Sequence, residues 1–94
     1  MRFTWSIEKN RLNLSRHGII FEEAVRIFEG TIVERVDDRF DYGEVRMYAI
    51  ELANGTEVTV IYTDRQRETK HIISAWKSTP RERRAFWEEF EKNR

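Results

Sequence analysis

Residues 45–63 read VRMYAIELANGTEVTVIYT. Two β-prone apolar runs, 45–52 and 57–63, flank Asn54-Gly55. Both turn residues tolerate the left-handed backbone of a two-residue hairpin loop, so Asn-Gly between apolar runs is the strongest short-range hairpin signal. The same reading extends in both directions. Residues 31–36, TIVERV, are β-prone and lead through the polar stretch DDRFDYGE to the hairpin. A second turn, 64–69, leads to KHIISAWK at 70–77. Sequential strands with short turns imply an antiparallel meander.

Helices bracket these strands. Phe3 and Trp5 alternate with polar neighbours, as on a short half-buried strand. Ser6 is a suitable N-cap and Gly18 a suitable C-terminal stop, which places a first helix at about residues 7–17. Phe21, Ala24, Val25 and Phe28 follow the i, i+3, i+4, i+7 pattern of a second, amphipathic helix that Gly30 ends. Thr79-Pro80-Arg81-Glu82 has the form of a capping box with proline at the first helical position. It opens a third helix, Pro80 to about Lys92, expected to bury Phe86, Trp87 and Phe90. The expected fold class is α+β: an antiparallel meander with two N-terminal helices and one C-terminal helix packed on it, in a single domain over 1–94.

Composition bounds the function. The 94 residues are 39% apolar and 36% charged, with three Trp, six Phe and three Tyr, so aromatics must supply much of a modest core. No apolar run approaches the roughly 20 residues of a membrane span, and MRFTW lacks the apolar centre of a secretory leader. A cytoplasmic location is the expectation. With no cysteine there is neither a disulfide nor a thiolate metal site. Basic and acidic residues balance at 17 each, which weighs against a plain nucleic-acid-binding domain. An RNA-binding chain of this composition must segregate its charges in space.

Several residues carry possible chemistry. Lys9, Asn13 and His17 recur every four residues along one side of the first helix. The stripe is either a solvated face, with His17 favouring the helix C-terminus, or a row of donors for a partner. Arg81, Arg83 and Arg84 sit at the positive end of the third helix, where each cation costs about 0.3–1 kcal/mol. They are tolerated surface arginines or they face an anion. Period-two alternation on the last strand puts His71, Ile73, Ala75 and Lys77 on one face and Lys70, Ile72, Ser74 and Trp76 on the other. His71 and Lys77 would then lie about 20 Å apart, too far to grip one phosphate. Arg46 and Arg65 add guanidiniums suited to bidentate phosphate binding. Asp37-Asp38-Arg39-Phe40-Asp41 lacks the glycine and terminal glutamate of a calcium loop and reads as a solvated loop, so no metal is expected.

FTWSIEKNRLNLSRHGIIFEEAVRIFEG, at 3–30, resembles the opening of the BrnT toxin family. Trp5, Lys9, Asn13, His17, Gly18, Phe21, Glu23, Ala24 and Phe28 carry that likeness, and DDRFDYGEVRMYAI, IYTDR and IISAWKSTPRER are similar to the family's later motifs. The sequence departs from the pattern at four places. Trp76 and His71 stand where arginine is usual, Phe40 where histidine is frequent, and Phe86 where tyrosine is usual.

The resemblance implies a RelE-like fold and a cytoplasmic ribonuclease toxin of a type II toxin–antitoxin system that arrests growth. It also implies a BrnA-like ribbon-helix-helix antitoxin as partner, with operator DNA reached only through that antitoxin, and no cofactor. For the reaction, metal-independent endoribonuclease cleavage of RNA, Arg46, Arg65 and Lys77 are expected to stabilise the phosphate and His71 to move the proton. Trp76, Glu82 and Arg83 are expected to bind or support substrate. Lys9, Asn13 and His17 are expected to be structural or to face the antitoxin, with His17 capping the first helix. The alternative is a toxin-fold protein weakened in catalysis at positions 71, 76 and 86 that acts mainly as an antitoxin-binding module.

Overall fold

The protein is described by a computed structural model over residues 1–92. The elements are β1 (Arg2–Thr4), α1 (Ile7–His17), α2 (Phe21–Ala24) continued by a 3-10 turn (Val25–Glu29), β2 (Val33–Asp37), β3 (Arg46–Ala53), β4 (Thr56–Arg65), β5 (Thr69–Lys77) and α3 (Pro80–Lys92). The strands form one sheet in the order β1-β5-β4-β3-β2. Asn54 and Gly55 turn the β3–β4 hairpin with φ of 52° and 79°, the left-handed pair that the dipeptide signals. From β2 to β5 the sheet is the expected antiparallel meander. No helix among the described residues is long and apolar enough to cross a membrane.

Three features differ from the expected architecture. First, β1 pairs parallel with β5, Arg2 opposite Thr69 and Thr4 opposite His71. The chain leaves β1 through α1 and α2 and re-enters the sheet at its far edge, so no hairpin dictates the direction of β1. Second, the second helix keeps α geometry only over Phe21–Ala24 and then tightens to 3-10. Three residues per turn bring Phe21, Ala24 and Ile27 onto one line, and all three are buried, whereas Val25 and Phe28 are only partly so. The 3.6-residue stripe therefore misses Ile27. Third, a β-bulge interrupts β5. Ile61 faces Ser74 but Tyr62 faces Ile72, leaving Ile73 as the extra residue.

The bulge changes which side chains share a face. Before it, Ile72 lies on the core side; after it, Ala75 does, with Lys77 in the same register. His71 and Trp76 point to the other side. Simple alternation across 70–77 therefore fails, and Lys77 and His71 do not share a face.

The two faces carry different helices. α1, α2 and the 3-10 turn cover the face of Ala49, Val60, Tyr62, Ile72 and Ala75. Phe28 packs edge-on against Tyr62 at 5.3 Å and meets Phe3 at 5.3 Å, while Trp5 meets Phe21 at 6.0 Å. Such pairs contribute about 0.5–1.5 kcal/mol each beyond simple burial. α3 lies against β2 and β3 on the opposite face, where Phe86 is fully buried with Ile50 and Ile61. Trp87 stays exposed at the helix surface and donates from Nε1 to Glu57, contrary to its expected burial. The expected capping box is present: Glu82 N–H donates to Thr79 Oγ1 at 3.2 Å, and Thr79 N–H to Glu82 Oε1 at 2.8 Å. α3 covers only part of its face, and the remainder is open.

β1 is only three residues long, so β5 has no strand partner on its outer side beyond His71. The buried Asn13 side chain supplies the missing pairing. Its Oδ1 accepts from Ala75 N–H at 3.0 Å and its Nδ2 donates to Ala75 C=O at 2.8 Å. The same amide donates to Ile19 C=O and accepts from the Ser74 hydroxyl. Asn13→Ala strands both Ala75 backbone groups in a buried site. We expect a loss of about 2–4 kcal/mol, since each orphaned buried group costs about 1–3. In a chain of this size thermal denaturation should show Tm lower by about 10–25 °C.

Candidate active site

The open part of the α3 face is built on one transverse row. Asp37 lies opposite Arg46, Thr63 opposite His71, and His71 opposite Thr4. Met47 opposite Tyr62 sets Arg46 beside Thr63. Asp37, Arg46, Thr63, His71 and Thr4 thus cross all five strands on one face, and Arg65 joins them two residues along β4. The meander brings together cations far apart in the chain, and three of the four expected catalytic residues, Arg46, Arg65 and His71, gather in this row. The fourth, Lys77, lies beyond the bulge at the other end of β5.

Polar contacts tie the row together. Thr4 Oγ1 and His71 Nδ1 share a hydrogen bond of 2.8 Å, and Thr63 Oγ1 donates to Val45 C=O. Arg46 Nε pairs with Glu44 at 3.3 Å and its guanidinium lies over the Tyr42 ring at 4.0 Å. Tyr42 OH donates to Asp37, which also receives two hydrogen bonds from the Arg39 side chain. The band ends where the Arg39 guanidinium stands 5.8 Å from the Trp76 ring.

Three titratable groups in this band depart from their ordinary behaviour, Arg39 being pushed up chiefly by its hydrogen bond to Asp37. His71 is held below the usual histidine range, chiefly by partial burial and then by the charge of Arg65, with Glu44 acting in the opposite sense. Its neutral form therefore predominates at neutral pH. Asp37 is held below the usual carboxylate range, first by the Arg39 hydrogen bond, with Tyr42 adding to it. Asp37 is not part of a solvated loop, as the acidic stretch suggested: it ends β2 and its side chain is 1% exposed beneath Arg39 and Tyr42. Asp37, Arg39, Tyr42, Glu44 and Thr4 all belong to the band, and sequence reasoning passed over them. The signal available was the spacing in DDRFDYGE, where Asp37, Arg39 and Tyr42 fold back on one another.

The face is hollowed beside α3. A cleft of about 350 Å³ lies between β2–β5 and α3, floored by Tyr48, Ile50, Ile61 and Trp76 and edged by Asp37, Arg39, Arg81 and Glu82. Glu82 does more than cap α3: its Oε1 also accepts from Trp76 Nε1 at 3.0 Å and from Thr59 Oγ1 at 3.1 Å, fixing the indole in the wall. Arg83 donates to Ser78 C=O at the start of α3. Phe86 is buried under the helix and offers nothing to the cleft. On α1, Asn13 is buried against β5 and Lys9 is exposed. The cap expected of His17 is closed instead by Gly18, whose N–H donates to Leu14 C=O at φ 72°. The His17 ring lies 5.9 Å from Trp76. Among the described residues no cluster of three or more His, Asp or Glu side chains is disposed to hold a metal ion.

A five-stranded, mostly antiparallel sheet with three helices and an open, arginine-bearing face is the BrnT-like α+β fold. The crystal structure of the Brucella abortus ribonuclease toxin BrnT superposes with a TM-score of 0.64, covering 84% of this chain and 97% of that one, with 23% of residues identical. At that identity the likeness speaks for the fold alone. Residues 5–82 match the family model described as the ribonuclease toxin, BrnT, of type II toxin–antitoxin systems, and the chain belongs to that family. No protein of curated function matches the sequence.

The shifts of His71 and Asp37 predict separate acid responses. A histidine resisting protonation when folded contributes stability that is present above its ordinary value of 6.5 and lost as pH falls through its lower folded value. An aspartate held low contributes stability present above its ordinary value of 3.8 and lost in stronger acid. Denaturant midpoints measured against pH should therefore show a slope below about pH 6.5 that His71→Gln removes. Asp37→Asn should leave that slope intact and flatten only the region below about pH 4.

Proposed function

We propose that this chain is a type II toxin that cleaves RNA internally without a metal ion, and that a BrnA-like ribbon-helix-helix antitoxin neutralises it in the cytoplasm. On this reading operator DNA is reached only through the antitoxin, free toxin arrests growth, and the fold is a RelE-like variant. The observation that carries the reading is the gathering of Arg46, Arg65 and His71 on one uncovered row of the sheet.

The chemistry follows from those groups. The ribose 2′-oxygen attacks the adjacent phosphorus, the bond to the 5′-oxygen breaks, and a 2′,3′-cyclic phosphate forms. His71 accepts the 2′-OH proton at Nε2, in the tautomer whose Nδ1–H donates to Thr4. The departing 5′-oxygen takes a proton from solvent. Negative charge grows on the non-bridging oxygens, and the guanidiniums of Arg46 and Arg65 meet it. Glu44 holds Arg46 in place before substrate arrives. His71 needs no activation to serve as a base, because its environment already keeps it neutral. Lys77, on the other side of the bulge, is not part of this step.

Purified protein freed of antitoxin should cleave RNA in the presence of EDTA and leave 2′,3′-cyclic phosphate ends. Arg65→Ala should lower kcat by about 10²–10³-fold, as loss of one transition-state donor does. His71→Ala should cost about 10²–10⁴-fold and abolish an acid limb of the rate profile centred below 6.5. Cleavage that requires a divalent cation, or undiminished activity in Arg65→Ala, would refute the mechanism. A protein that binds an antitoxin yet leaves RNA intact at every pH from about 5 to 9 would be an antitoxin-binding module instead.

A further inference from the structure

The α3-side cleft does not end at Trp76. It opens past the indole into a wider hollow of about 630 Å³ that shares Arg39, Trp76 and Glu82 with it and adds Arg16, His17 and Lys77. One groove therefore runs beside Trp76 to the C-terminal end of α1. Its far end is basic. Arg16 and Lys77 are exposed, and among the described residues neither joins an ion pair or a side-chain hydrogen bond. The one carboxylate there, Glu82, is already engaged by Trp76, Thr59 and the Thr79 N–H. Trp76 is half-buried, held by Glu82 at its nitrogen, with the His17 ring at 5.9 Å and the Arg39 guanidinium at 5.8 Å.

We propose that this groove is a second RNA subsite, in which Trp76 stacks a base and Arg16 and Lys77 hold the phosphates of nucleotides flanking the cleaved link. The inference rests on the RNA-cleaving reading and extends it to a part of the surface that performs no chemistry. Its geometry suits a single strand. Trp76 lies five residues along β5 from His71, about 15 Å away, which is a separation of a few nucleotides rather than one phosphate. An aromatic platform beside cations that lack protein partners is what sequence-tolerant single-strand binding uses. It also gives a chain with no net charge a place to engage a polyanion, because two cations without protein partners, Arg16 and Lys77, stand where the strand would pass.

The test is binding of a fluorescent, fully 2′-O-methylated RNA of roughly eight nucleotides, which cannot be cleaved. Arg16→Glu combined with Lys77→Glu should weaken binding about tenfold or more and reduce the slope of log K against log salt by about 0.7 per lost contact. Trp76→Ala should cost on the order of tenfold, with partial recovery in Trp76→Phe. Arg26→Glu, in the 3-10 turn outside the groove, should bind as the parent does, and matching melting curves show that each variant is folded. The proposal is overturned if the parent does not bind the oligonucleotide, if the double variant binds it equally well, or if Arg26→Glu is just as harmful. It is also overturned if the double variant loses antitoxin binding but keeps RNA binding, for the groove would then belong to a protein partner. Absence of cleavage with the binding results intact would overturn only the catalytic reading.

Discussion

The constraint on which the molecule turns is the unfinished outer edge of β5. A strand that carries both His71 and Trp76 has only three residues of β1 beside it, and a buried backbone cannot be left without partners. The Asn13 amide completes that edge by offering an acceptor and a donor at the spacing of a peptide group. Because Asn13 lies one turn before His17, the pairing also fixes where α1 ends. The end of the helix is brought to the rim of the groove, and His17 comes to the Trp76 ring. A structural hydrogen bond in the core thereby sets the shape of the functional surface.

The candidate site shows how a neutral chain makes a cationic surface. The sheet and the loop after β2 gather arginines from separate stretches of the chain, and carboxylates orient two of them. Asp37 lies beneath Arg39, and Glu44 lies beside Arg46. In the first pair the acid is hidden while the guanidinium faces solvent, the Arg39 side chain being 57% exposed over an almost inaccessible Asp37; in the second, Glu44 is the more open member. The same arrangement orients planar groups before any ligand arrives, which lowers the ordering cost of binding.

Much of the fold was legible in the sequence because the signals were local. Asn54-Gly55, the Thr79–Glu82 capping box and Gly18 each specify a backbone conformation through nearby atoms, and each is found as read. What was not legible depended on long-range pairing. Nothing near Phe3 states that β1 will run parallel to β5. The bulge at Ile73 has no glycine to announce it, so alternation placed Lys77 with His71. The stripe Lys9, Asn13, His17 was visible as a pattern, but its three members have three different surroundings, because only Asn13 faces the gap in the sheet. Arg46, Arg65 and His71 could be picked out by residue chemistry, yet their convergence arises from strand register, which one sequence does not print.

The extra residue in β5 is what lets His71 and Trp76, an odd number of residues apart, share one face of the sheet. The side chain at 76 can be exchanged and still reach the groove. Were the same residues to pair without the bulge, plain alternation would turn the indole inward and displace Ala75 from the core. Divergence at this surface is thus open to point substitution while the irregular pairing persists: the side chain shown to the groove can change, and the bulge sets the side on which it is shown.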